Sequence, residues 1–205
     1  MQGINVVFYI AILLMSVVIH EISHGFVAEY FGDKTARNAG RLTLNPIKHL
    51  DFFGSILLPA LMYFSFGFAF GWAKPVPYNP DNLSNKRLGT IAVASAGILA
   101  NLFIAVLFGT ILRFTLGLDL PTGFYFMTST IVVVNLALAI FNLIPIPPID
   151  GSKILFQILP KNLYKVEQLL EQYGLIFLFI FIFFFSDYLY PVLAYLYHLV
   201  TGLSL

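Results

Sequence analysis

The chain contains no cysteine. That excludes disulfides, thiolate-ligated zinc, iron–sulfur clusters and thiol nucleophiles. Charge is almost as scarce: Asp, Glu, Lys and Arg make up 10% of the 205 residues, against roughly 25% in a soluble domain. A net charge of +1 offers no basic face for nucleic acid and points to no polyanionic partner. The chain shows no internal repeat and no low-complexity linker. Its N-terminal run lacks the basic start and small-residue cleavage site of a signal peptide. What is abundant is apolar: 59% hydrophobic residues, 22 Phe and 11 Tyr, with a mean hydropathy of +0.88. This is the composition of an integral membrane protein. The length suits a single membrane-embedded domain over residues 1–205, with a core at 4–160 and C-terminal helices at 161–205.

The few charges punctuate the sequence. Uncharged stretches cover residues 1–19, 52–73, 88–112, 120–149, 172–186 and 188–205. A span needs about 20 apolar residues. The third and fourth stretches qualify directly, and the first does so if its helix continues through His24 to about Phe31. The stretch at 172–186 crosses if its neighbours extend it. The last, with Pro191 near its start, is either a further span or an interfacial helix. The stretch at 52–73 is long enough but carries Pro59, Gly67 and Gly71. Beyond it, Pro75, Pro77 and Pro80 prevent a helix and predict irregular or strand-like backbone. Leu42 and Leu44 alternate as a short strand would. Residues 41–44 and 72–78 are thus candidates either for a hairpin with an edge free to pair with a further extended peptide or for a loop packed on the bundle. The expected fold is an all-α polytopic membrane protein: a bundle of about four to six transmembrane helices, a re-entrant segment and a short membrane-associated β-hairpin.

His20-Glu21-Ile22-Ser23-His24 is an H-E-x-x-H motif. On a helix, positions i and i+4 share a face, so both imidazoles reach one metal ion. Glu21 is then placed to act on water at that metal. Three ionisable residues directly after an apolar run are costly without a partner, and a metal supplies one. His49, in a charged loop, and His198, near the C-terminus, read as surface or interfacial residues rather than a third ligand. Asp150 is the better candidate. It ends a long uncharged stretch and follows Pro145, Pro147 and Pro148, where the helix must unwind. Irregular backbone at membrane depth is tolerated only when buried in protein or lining a wet cavity. Asp150 also suits a helix N-cap; beside H-E-x-x-H, the ligand reading prevails, because two His and one carboxylate form an established zinc set.

These motifs resemble the site-2 protease family of intramembrane zinc metallopeptidases. The resemblance is carried by H-E-x-S-H in the first apolar helix and by Asn-x-x-Pro-x-x-x-x-Asp-Gly from Asn142 to Gly151. It extends to Gly40-Arg41-Leu42-Thr43-Leu44-Asn45-Pro46 with His49-Leu50-Asp51, and covers residues 10–160 approximately. Ala96-Gly97-Ile98-Leu99-Ala100-Asn101 is similar to the family's Ala-Gly-Pro-x-x-Asn, with Ile98 in place of the proline. No PDZ or CBS module is read here, so the likeness is to a minimal member. The resemblance implies one Zn2+ per chain held by His20, His24 and Asp150, with Glu21 as general base. It also implies that Asn142 contacts substrate or oxyanion; a helix-packing hydrogen bond is the plainer role for that side chain. The implied activity is hydrolysis of peptide bonds within or near transmembrane segments, with membrane-protein substrates and the lipid bilayer as partners. The competing functions are a membrane metal transporter, which needs polar residues across the whole bilayer, and an inactive binder of membrane helices.

Charge by side bears on topology. If residues 52–71 cross fully, Lys34, Arg37, Arg41, Lys48 and Arg113 oppose Lys74, Lys86, Arg87, Lys153, Lys161 and Lys165. There is then no bias, and His24 and Asp150 end on opposite faces. If that segment is re-entrant, turning near Pro59, every Lys and Arg except Arg113 falls on one side. The positive-inside rule favours the second arrangement. It predicts a multi-pass protein of the cell (inner) membrane, with the N-terminus outside and the metal nearer the cytoplasmic face.

Overall fold

The computed structural model describes residues 2–67 and 71–205. Its helices are α1 (Gln2–Tyr30), α2 (Thr35–Asn38), α3 (Leu58–Phe66), α4 (Lys86–Thr115), α5 (Thr122–Asn142), α6 (Asp150–Ile158), α7 (Tyr164–Phe185) and α8 (Leu189–Thr201). Among the described residues, four stretches are long and apolar enough to cross a membrane: Val6–Tyr30, Lys86–Thr115, Thr122–Asn142 and Tyr164–Thr201. The last joins α7 and α8 through one short 3-10 turn.

The helices end where the local chemistry says they should. Gly32 takes a left-handed φ of 104° after α1, the conformation that lets a helix close. The Asn85 side chain accepts from Leu88 N–H and starts α4. Pro145 follows the end of α5, and the backbone then turns through residues 143–149. Gly151, the second residue of α6, lies so close beneath the Leu143 and Ile144 carbonyls that a Cβ there would strike them.

α4 is the central element and packs against α1, α5, α6 and α8. Small buried residues along it, including Ala94, Gly97, Ala105 and Gly109, let neighbours approach closely. α1 and α4 are antiparallel: His24 meets Val93, and His20 meets Asn101 further along α4. Ser16 bonds Asn135 on α5. Asn135 lies seven residues before the end of α5, and Ser16 four residues before His20. One apolar cluster joins α4, α5 and α8 through Ala105, Val132, Leu136 and Tyr197. Another seats α7 against the turn after α5 through Leu178, Ile144 and Ile149.

The segment between α1 and α4 closes on itself. Ser84 N–H donates to the Phe31 carbonyl at 2.8 Å, so α4 starts beside the end of α1. Within it, Lys74 N–H donates to His49 O at 2.8 Å, and Trp72 N–H to Gly54 O at 3.0 Å. The chain thus leaves at His49 and comes back to it. The reversal is not at Pro59, which occupies the first turn of α3; the helix continues to Phe66 before Gly67 takes φ 77°.

The expected β-hairpin does not form: no strand occurs among the described residues. Pro75 and Pro77 lack the N–H groups a ladder needs. The Arg41 guanidinium also takes the Lys74 and Pro75 carbonyls, at 2.7 and 3.3 Å. Residues 71–79 run as an irregular strap instead. Asp33 ties down its end, accepting from Asn79 N–H at 2.7 Å and Asn82 Nδ2 at 2.8 Å.

Candidate metal centre

H-E-x-x-H lies in the second half of α1, continuous with the apolar run before it. His20 and His24 project from one face, with ring centroids 4.7 Å apart and planes at 83°. Asp150 comes to them as the first residue of α6. Its Oδ2 lies 3.1 Å from His20 Nε2 and 3.1 Å from His24 Nε2. All three side chains are buried. The N-cap alternative for Asp150 fails: Ile149 is the cap residue, and no side chain caps α6.

The far ring nitrogens are committed. His20 Nδ1 donates to Asn101 Oδ1 at 2.9 Å, and His24 Nδ1 donates to the Val93 carbonyl at 2.6 Å. With the ring protons held there, two Nε2 lone pairs converge on a carboxylate oxygen. A shared cation makes that arrangement favourable. Ligands about 2.0–2.2 Å from a tetrahedral ion stand roughly 3.3 Å from one another, close to the 3.1 Å found. The donor set therefore fits a divalent metal.

Glu21 turns to the side of this trio. Its ligand atoms group with those of His20 and His24 within 4.8 Å. Its Oε2 accepts from Val76 N–H in the strap at 2.8 Å. Lys153 Nζ donates to Asp150 Oδ1 at 2.9 Å. Burial works against both charges, but the pairing wins. Asp150, beside the imidazoles and the Lys153 ammonium, lies well below the usual carboxylate range, and Lys153 lies above its usual value.

Asn142 is the last residue of α5, and its Nδ2 donates to Leu138 O at 2.9 Å. The structure thus brings His20, Glu21, His24 and Asp150 together and bonds Asn142 within its own helix. His49 departs from expectation. It is only 1% exposed, with Nε2 donating to Thr43 O at 2.9 Å, because the turn at residues 43–49 folds over it. His198 is exposed, as expected. Sequence reasoning quoted Asn101 as part of a family-like segment but gave it no role at the site, and it gave none to Lys153 or Val76. Asn101 had a signal, a lone amide inside an uncharged span, and Lys153 sits one turn after Asp150. Val76 acts through its main chain, which side-chain identity does not reveal.

A family model for peptidase family M50 matches residues 120–184, from before α5 to near the end of α7. "Putative zinc metalloprotease YwhC" of Bacillus subtilis (strain 168) is 38% identical over 177 residues, which is 83% of this chain and 78% of that relative. The chain belongs to peptidase family M50. This is the site-2 protease family that its motifs resemble. "Putative zinc metalloprotease Rip2" of Mycolicibacterium smegmatis (strain ATCC 700084 / mc(2)155) is 34% identical over 140 residues, 67% of this M50 chain and 52% of that relative. No solved structure matches. Family and apolar helices together make the M50 chain a multi-pass membrane zinc protease.

Proposed function

We propose that this protein hydrolyses peptide bonds within or near the transmembrane segments of membrane-protein substrates, with His20, His24 and Asp150 as the ligands of one zinc ion. The observation that carries this reading is the convergence of both Nε2 atoms on Asp150 Oδ2, 3.1 Å from each. Zinc held there supplies Lewis-acid polarisation of the scissile carbonyl and the attacking water.

The chain's own groups supply the rest. Val76 N–H fixes Glu21 through Oε2, which leaves Oε1 as the oxygen to take a proton from water and return it to the leaving amine. The Asn142 amide spends one N–H on Leu138 O; its second N–H is the group we assign to the substrate oxyanion. A cavity of about 460 Å3 is lined in part by Leu14, Val17, Val18, Trp72 and Leu138; it includes none of the site residues, but Val17 and Leu138 lie one helical turn before Glu21 and Asn142, and we assign it to an apolar substrate segment.

The 52–66 excursion is read as re-entrant, because Ser84 meets Phe31 and Lys74 meets His49. Together with the positive-inside rule, these contacts support an orientation with the N-terminus outside the cell (inner) membrane and the site nearer the cytoplasmic face. Labelling single cysteines introduced at positions 63 and 119 tests it: external labelling of position 63 overturns the arrangement.

The activity is tested with purified protein and a model transmembrane substrate. Glu21→Gln is expected to keep one zinc per chain and to lose cleavage by a factor of about 100 or more. Undiminished cleavage by that variant would refute the role of Glu21. Zinc-free wild type that still cleaves would refute the metal reading. Metal flux into vesicles, with no proteolysis, would favour the transporter.

A further inference from the structure

We infer that Asn101 is a positioning residue for the metal centre: its Oδ1 holds the His20 ring in the tautomer and orientation that present Nε2 to the ion. This rests on the zinc reading above and adds a residue that touches neither metal nor substrate.

The two imidazoles are held in different ways. On α4, Val93, Gly97 and Asn101 recur every fourth residue and face α1. His24 uses the Val93 carbonyl, which no substitution removes. His20 uses a side chain, Asn101 Oδ1, at 2.9 Å. Between them, Gly97 lies so close that a Cβ there would stand 2.5 Å from the His20 ring. The ring is therefore wedged against the α4 backbone, and Asn101 is what sets its rotation and its proton.

The cost of Asn101 supports this. The residue is 0% exposed, and its Nδ2 has no hydrogen-bond partner. A buried amide with an unmet donor is unfavourable in an apolar span. A Leu of similar size would pack without that penalty. What Asn supplies and Leu cannot is the acceptor at His20 Nδ1. Acceptors of this kind fix the ring of a metal-ligating histidine and raise its basicity, and their loss typically weakens metal binding 10–100-fold.

The experiment measures zinc affinity by competition with a chelator, on purified protein in detergent micelles. Asn101→Leu is expected to weaken zinc at least 10-fold, and Asn101→Asp, which keeps an acceptor, to stay within about threefold of wild type or bind more tightly. Asn135→Leu is the control. Asn135 is equally buried and also bonds α1, at Ser16, but its hydrogen bonds go to Ser16 and Ile131 and to none of the metal ligands; its loss is expected to lower the melting temperature and leave zinc affinity unchanged. In 15N-histidine spectra of the metal-free protein, the His20 proton is expected on Nδ1 in wild type and redistributed towards Nε2 in Asn101→Leu. Wild-type zinc affinity in folded Asn101→Leu overturns the inference, as does equal weakening by Asn135→Leu. Should Asn101→Leu not accumulate, Asn101→Asp decides, with a loss beyond 10-fold overturning it. A wild type that binds no zinc overturns the parent reading instead.

Discussion

Glycine 97 shows how little room the site leaves. The nearest side chain to its missing Cβ is the His20 ring, at 2.5 Å. Gly97→Ala must push either the ring or α4 aside. Overpacking of this kind costs about 1–3 kcal/mol. It is expected both to lower the melting temperature and to weaken zinc, readable by thermal scanning and chelator competition. Lys153→Met is different: it leaves packing intact but removes the cation from Asp150 Oδ1. A freed Oδ1 competes with Oδ2 for the metal, so activity is expected to fall several-fold with the fold unchanged by circular dichroism. At this scale the sequence was informative where chemistry is local. His20, Glu21, His24 and Asp150 were legible from spacing and from the price of charge in an apolar run. Asn101 was legible only as the end of a family-like segment, and its role depends on a neighbour 81 positions away. His49 was misread, because nothing local reveals that the chain folds over it.

Among the elements, the strap at residues 71–79 decides how Glu21 is presented. It has no ladder of its own. Its positions are set by Arg41 at Lys74 and Pro75, by Glu21 at Val76, and by Asp33 at Asn79. Burial raises the Asp33 carboxyl, but hydrogen bonds from Thr35, Asn82 and Asn79 outweigh it and hold it below its usual value. A carboxyl depressed by folding stabilises above its unfolded pKa, and that contribution is lost as pH falls through the folded value. Loosening of the strap by this route is therefore expected only in acid, below about pH 4. Asp33→Ala should produce it at neutral pH, costing roughly 1–3 kcal/mol and exposing residues 72–82 to protease. Limited proteolysis of the two proteins checks this; equal cleavage rates would show that Asp33 does not hold the strap. The prolines announced that this stretch is not helical, but the hairpin reading failed because an arginine side chain, not a strand, meets its carbonyls.

On the whole-molecule scale, stability and chemistry are separated along α4. The half near Val93 to Asn101 serves the metal centre, and the half near Gly109 and Arg113 holds α8. A Cβ on Gly109 would run into Val200, while Arg113 donates to Leu199 O at 3.1 Å. Gly109→Ala is expected to lower the melting temperature by several degrees and to leave zinc affinity at the wild-type value. Coupled loss of both would show that the helix transmits the disturbance. The long apolar stretches made the four spans legible beforehand. Whether the last segment forms a separate span was open, because α8 is short and owes its place to contacts with α4 and α5 that composition does not encode.

The arrangement of ligands along the chain also has a consequence in time. His20, Glu21 and His24 are made almost at once, whereas the carboxylate that completes the set lies 130 positions after His20. At about 5–20 residues per second, synthesis of that interval takes roughly 6–26 s. For that period the nascent protein sits in the membrane with two imidazoles and a glutamate but no third ligand. A ribosome-stalled chain ending before Asp150 should therefore fail to retain zinc through chelator washing, and retention equal to the full chain would disprove the delay. On the proposed ligand set, the metal site is completed only once residue 150 has been made, after the whole of α4 and α5, so zinc chemistry in this protein waits on its own synthesis.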